Sequence, residues 1–261
     1  MGKVSIGAGL VLGVLLAGCG GGGDSNSSSS ALPLTGDRVP TVLRAEGVYT
    51  GTLSNGEKHE TIVLENGQIF MIHAGSFNIQ NTPVLEGSGK ADNGSYTSMD
   101  LKDFSDFAVF TPASMTASYN LNGTLNGSIS KQGSVVSFTS SRLEKPIYNY
   151  DEPASPASIV VAEPNILFST RITLDGDISI SARQCSARGT IKPRASGKNV
   201  FDIRLTFLNG PICPLNAQTH NGVAYMYLTS FPDGSLHRRL VMMGTDASRT
   251  YRFSYYDTLP D

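Results

Sequence analysis

The feature that most constrains this chain is a series of turn dipeptides set between short apolar runs. Asn55-Gly56, Asn66-Gly67, Asn93-Gly94, Asn122-Gly123, Asp175-Gly176, Asn221-Gly222 and Asp233-Gly234 all suit the positive φ of tight hairpin loops. Around Asn66-Gly67 the flanks are Thr61-Ile62-Val63-Leu64 and Ile69-Phe70-Met71-Ile72, which predicts a hairpin. From Val200 to Phe207 the alternation is strict. Phe201, Ile203, Leu205 and Phe207 share one face, and Val200, Asp202, Arg204 and Thr206 share the other, as in a half-buried strand. No window carries the three-and-four spacing of an amphipathic helix of three turns. Short strands with such turns every 8–12 residues or so predict an all-β chain of antiparallel barrels or sandwiches.

Length and punctuation then suggest two units. The 261 residues suffice for one large or two small domains, at about 100–200 residues each. Tyr148 to Ala157 carries Pro153 and Pro156 and no strand alternation. We therefore expect an N-terminal β domain over 44–147, a linker over 148–158 and a C-terminal β domain over 159–258. Charge shifts across the same boundary: residues 24–155 hold 14 acids against 8 bases, and residues 156–261 hold 8 acids against 11 bases. The run Ile62-Val63-Leu64-Glu65-Asn66-Gly67-Gln68-Ile69 is echoed by Ile172-Thr173-Leu174-Asp175-Gly176-Asp177-Ile178, which suggests a degenerate internal repeat.

The N-terminus points to export. A basic start at Lys3 leads into the apolar run Val11 to Leu16 and then into small residues, the pattern of a signal peptide over 1–18. Ser5 to Cys19 is 15 residues, short of the roughly 20 that span a bilayer as a helix. Leu16-Ala17-Gly18-Cys19 resembles the lipobox of bacterial lipoproteins. The resemblance implies acylation of Cys19 with chains such as palmitate, cleavage before it, and a lipid anchor that holds the membrane without a transmembrane helix. Gly20 stands where an Asp would signal inner-membrane retention, so the resemblance implies the outer membrane, with surface or periplasmic face open. Residues 19–43 read as the lipidated Cys followed by a flexible linker, because Gly20 to Ser30 offers almost nothing that can pack.

With Cys19 assigned to lipid, Cys185 and Cys213 remain, and an exported chain faces an oxidising space. They are predicted to form a disulfide, since their spacing is wrong for a redox pair.

Three stretches carry a wider resemblance: Gly47-Val48-Tyr49-Thr50-Gly51-Thr52-Leu53-Ser54-Asn55-Gly56, Asn93 to Asp100, and Thr190 to Asp202 between the two cysteines. Together with the lipobox and tether, they resemble a family of Gram-negative outer-membrane lipoproteins with two β-rich repeats and no established activity. Where that pattern would open the second repeat with a Gly-Thr-Trp-type strand, this chain has Val161-Ala162-Glu163-Pro164-Asn165. Asn122 to Ser130 is similar, at the level of architecture, to the barrel strands of surface lipoproteins such as transferrin-binding protein B and factor H-binding protein. Fold alone implies no function.

Catalytic motifs are thin. Ser128-Ile129-Ser130-Lys131 fits S-x-x-K by letters but lies on alternating sequence without companion motifs. Gly87-Ser88-Gly89-Lys90-Ala91 lacks the first Gly and the final Ser/Thr of a phosphate loop. His59, His73, His220 and His237 are not spaced as metal ligands, and Asp92, Asp100, Asp103 and Asp106 match no EF-hand. The net charge of −2 argues against nucleic acid. Arg183, Arg188, Lys192, Arg194, Lys198 and Arg204 crowd the second half as a candidate binding patch for anionic lipid or an acidic partner. Tyr148, Tyr150, Tyr225, Tyr227, Tyr251, Tyr255 and Tyr256 suit either a recognition surface or sheet packing. The expectation is a non-catalytic envelope module, without cofactor or metal, that binds an envelope or host protein or a glycan. A periplasm-facing structural or stress-related factor and a small-molecule carrier barrel are the alternatives.

Overall fold

The computed structural model describes residues 43–77, 82–144, 150–155, 161–164, 168–182, 185–208, 210, 213–215 and 217–259. Cys19 and the segment expected to be a signal peptide, together with Tyr148 and Arg183, lie outside the described residues. The chain is all-β, and among the described residues there is no helix.

The first eight strands are β1 (Gly47–Leu53), β2 (Lys58–Val63), β3 (Gln68–Ala74), β4 (Val84–Asp92), β5 (Ser95–Phe104), β6 (Phe110–Tyr119), β7 (Leu125–Lys131) and β8 (Ser134–Arg142). Each pairs antiparallel with the next, and β1 pairs with β8 from Tyr49↔Arg142 to Leu53↔Phe138, so the meander closes into a barrel without free edges. The second eight are β9 (Val161–Pro164), β10 (Phe168–Ile172), β11 (Asp177–Ala182), β12 (Ser186–Pro193), β13 (Phe201–Phe207), β14 (Thr219–Ser230), β15 (Leu236–Asp246) and β16 (Arg252–Leu259). They form one antiparallel sheet in chain order, and β9 supplies its first strand despite the unusual sequence there. The sheet curls enough for Thr170 Oγ1 on β10 to donate to the Tyr255 hydroxyl on β16, at 2.7 Å.

Six of the seven turn dipeptides sit in hairpin loops, and in each the glycine has positive φ, from 70° at Gly123 to 87° at Gly56. Asn221-Gly222 corrects the expectation, because it lies inside β14. Gly222 is there for close approach: a Cβ on it would stand 2.0 Å from the Met243 carbonyl oxygen of β15.

Three apolar layers result. The barrel interior is filled by inward residues of all eight strands, among them Tyr49, Leu53, Met71, Leu85, Tyr96, Met115, Ile129 and Phe138. The inner face of the second sheet buries Ile180, Ile191, Phe201, Ile203, Leu205, Phe207, Met242 and Phe253, with Phe107 of the barrel packed against it. Phe201 to Phe207 thus alternates buried and exposed as the period requires, whereas Val200, just before the strand, is buried in the layer against the barrel. The third layer lies between the two sheets. Outward residues of the barrel (Val48, Ile62, Phe70, Ile72, Val84) meet the outer face of β14 and β15 (Val223, Tyr225, Tyr227, Val241, Met243). This explains why Ile62 to Leu64 and Ile69 to Ile72 are continuous apolar runs: strands covered on both faces lose the polar half of the alternation. The Cys185–Cys213 disulfide forms, with Cα atoms 4.8 Å apart, and brackets β12 and β13.

Candidate functional site

At one end of the barrel the lumen turns polar. His59 on β2 is directly opposite His73 on β3, and both point inward with Met71 and Thr61. His73 donates to Glu57 Oε2 and to Asp103 Oδ1, each at 2.9 Å, and Lys131 Nζ donates to the other Asp103 oxygen. Burial by itself would depress the His73 pKa, but the hydrogen bonds and charges of Asp103 and Glu57 outweigh it and the pKa is raised. Asp103 and Glu57 resist their own burial in the same way, and the partner cations hold both below the usual carboxylate range.

A carboxylate at each nitrogen and the raised pKa favour the imidazolium form of His73, in which both nitrogens donate and no lone pair is left for a general base. Among the described residues no hydroxyl or thiol nucleophile bonds to it. His59 next to it is pushed by burial to about 4, so it is neutral, with Nδ1 2.9 Å from Thr61 Oγ1. Nothing in the spacing of the histidines hinted that two would meet, and no group of three or more His, Cys, Asp and Glu among the described residues stands in metal-holding geometry. The cluster acts as a charged plug.

Ser128 and Lys131 part company in the fold. Three residues apart on a strand, they face opposite sides. Lys131 enters the lumen, whereas Ser128 Oγ is 3.3 Å from Thr116 Oγ1 on an exposed face. The four aspartates are likewise dispersed: Asp92 beside Lys90 at 3.7 Å, Asp100 on Arg249, Asp103 in the plug, and Asp106 accepting from the Phe107 N–H at 2.7 Å.

Two polar constellations lie between barrel and sheet. Glu60, outward on β2, is buried and accepts from the hydroxyls of Tyr225 at 2.8 Å, Tyr227 at 2.6 Å and Tyr256 at 3.0 Å. Burial pushes its pKa up, and the three hydroxyls and the Arg239 charge only partly pull it back. Arg239 stacks over the Tyr256 ring, 4.5 Å from its centroid.

The second constellation centres on Arg249, in the turn between β15 and β16, which has φ 53°. Its Nε meets Glu86 Oε2 at 2.6 Å and its Nη1 meets Asp100 Oδ2 at 2.7 Å. Nη2 donates to the main-chain oxygens of Glu86 at 3.1 Å and Asp100 at 2.8 Å. The planar fork of Arg fits this set of acceptors, which Lys could not match.

The candidate basic patch is divided. Arg194 is held by Glu65 at 2.8 Å and by Asp202, and Lys198 by Asp151 at 2.7 Å. Arg188, Lys192 and Arg204 are exposed on the outer face of β12 and β13, where the register sets Arg188 against Thr206, Arg204 against Thr190, and Lys192 against Asp202. Beside them, between sheet and barrel, runs a groove of about 660 Å³ lined by Lys192, Arg194, Arg204, Asn221, Thr245, Arg249 and the barrel's Gln68 and Glu86.

Of the tyrosines, Tyr150, Tyr225, Tyr227 and Tyr255 are buried, the packing alternative. The role of Tyr225 and Tyr227 toward Glu60 had one faint sequence signal: a charged residue at the head of a run otherwise apolar on both faces. Arg249 had none, since its acceptors lie about 150 residues away. No family model, curated protein or solved structure matches the chain.

Proposed function

We propose that this chain is an outer-membrane lipoprotein anchored through Cys19, whose β modules form a non-catalytic binding unit carried on the Gly/Ser tether. In this reading the two eight-strand meanders are degenerate tandem copies. The observation that supports it best is the filled interior. The barrel lumen is occupied by Tyr49, Met71, Tyr96 and Phe138 and closed by the His73 plug, which leaves recognition to the outer faces rather than to a carried small molecule. Against the inner face of the second sheet, the cavity beside Phe107 and Phe253 measures about 30 Å³.

The test combines palmitate labelling with protease shaving. Wild-type chain takes up labelled palmitate, Cys19→Ala does not, and protease digests the second sheet in intact cells. Protection until the outer membrane is opened would move the module to the periplasmic side, toward the structural-factor alternative. A wild-type chain that incorporates no lipid would sink the anchor.

A further inference from the structure

We infer that the outer face of the second sheet, with the groove beside it, binds an acidic oligosaccharide; this deepens the envelope-binding reading and rests on it. Arg171 on β10, Arg188 on β12, Arg204 on β13 and Lys192 on β12 are all exposed on that face. None of the four has an ion-pair partner among the described residues, although Lys192 stands directly across from Asp202. Asp202 is already taken by Arg194, and Glu86 in the groove wall by Arg249. Asp246, the other carboxylate of the groove, accepts from the backbone N–H groups of Ser248, Thr250 and Tyr251. The groove's carboxylates are thus satisfied, while the four cations outnumber the exposed Asp177 that shares their face on β11, across from Thr190.

Register makes the cations a track. Arg204 is diagonal to both Arg188 and Lys192, a separation of about 7–8 Å. Arg171 lies two strands further on through Ser179, roughly 10 Å away. Like charges so spaced repel one another, and an extended anion relieves all of them together.

The groove also selects among anions. Its apolar lining is Pro193, Ala195, Ile203, Val223 and Ala247, without the aromatic anchors that seat an acidic protein, and Ile203 and Val223 are themselves buried in the cores on either side of the sheet. It offers no aromatic platform for bases. The wall formed by Gln68 and Glu86 of the barrel recesses it from a flat bilayer. Amide and hydroxyl side chains, Gln68, Thr190, Asn221 and Thr245, suit sugar hydroxyls, while Lys192 and Arg204 suit the carboxylate or phosphate.

Calorimetry on the full chain in detergent tests this with four probes: a galacturonic-acid hexamer, a phosphorylated glucose oligomer, a neutral glucose hexamer and oligothymidylate. At least one anionic sugar binds, more weakly as salt rises from about 50 to about 200 mM, and the neutral hexamer does not. Whichever anionic sugar binds tighter identifies carboxylate or phosphate as the group recognised. Lys192→Ala/Arg204→Ala lowers affinity at least about tenfold, while Lys58→Ala on the barrel leaves it unchanged, each variant keeping the wild-type circular dichroism. Binding of neither anionic sugar, equal binding by the double variant, or oligothymidylate binding as tightly would overturn the inference. Palmitate labelling of Cys19 in the same preparation shows whether the envelope reading survives such a failure.

Discussion

The hydroxyl of Tyr227 donates to the Glu60 carboxylate at 2.6 Å, although the two residues are 167 positions apart and belong to different sheets. Tyr225 and Tyr256 complete the shell, so one acid on the barrel gathers three tyrosines from β14 and β16. Glu60→Ala leaves these hydroxyls without that acceptor in a dry layer and should lower stability by about 3 kcal/mol. Glu60→Gln keeps an acceptor oxygen and should lose less. Urea unfolding of both variants checks the order.

Glu60 also sets a pH trend. Its folded pKa is raised, so the folded state binds the proton more tightly than the unfolded chain does, and stability falls as pH rises from the ordinary carboxylate value toward the folded one. The slope of stability against pH in that window should be less negative in Glu60→Gln than in wild type, and an unchanged slope would refute the assignment.

The barrel plug has two opposed edges. Raised His73 contributes stability in full below the ordinary 6.5 and loses it as pH climbs through the folded value above that. Lowered Asp103 and Glu57 contribute above their ordinary 3.8 and 4.5, and lose it as pH falls through their folded values. The melting-temperature gap between wild type and His73→Gln should therefore be widest between about pH 4.5 and 6.5. A gap that grows steadily toward alkaline pH would contradict the imidazolium.

Arg249 joins the sheet to the barrel at Glu86 and Asp100. Arg249→Ala leaves Glu86 buried without its cation and should cost about 2–3 kcal/mol. Arg249→Lys should recover only part, because an ammonium cannot span both carboxylates and both carbonyls. Thermal unfolding of the two variants side by side decides this.

The Cys185–Cys213 bridge closes a separation of 28 residues around β12 and β13. Cys185→Ser/Cys213→Ser should lower stability by about 3.5 kcal/mol on the loop-entropy account. Equal urea midpoints for the double variant and wild type would mean that the pairing constrains nothing.

The strands and turns of this chain were legible because their signals are local. Alternation from Phe201 to Phe207 and the turns at Gly56, Gly67, Gly94, Gly123, Gly176 and Gly234 depend only on backbone period and φ preference. The Asn221-Gly222 pair carried the same letters and misled, since what fixes Gly222 is the Met243 carbonyl of a neighbouring strand. The candidate patch was legible as a crowd of bases but not as a division. Arg194 and Lys198 met acids from Glu65 and Asp151, far back in the chain, while Arg188, Lys192 and Arg204 met none among the described residues.

The strand period, most of the turns, the disulfide partners and the all-β class follow from the order of residues alone. The closure of β1 on β8, the cover over the outer side of β1–β4, and the partners of Glu60, Arg249 and His73 come from long-range packing. The physical reason is range. A residue's face follows from its immediate neighbours, but what covers that face depends on the register of another sheet, and a buried charge is tolerated only where that register delivers its counterpart.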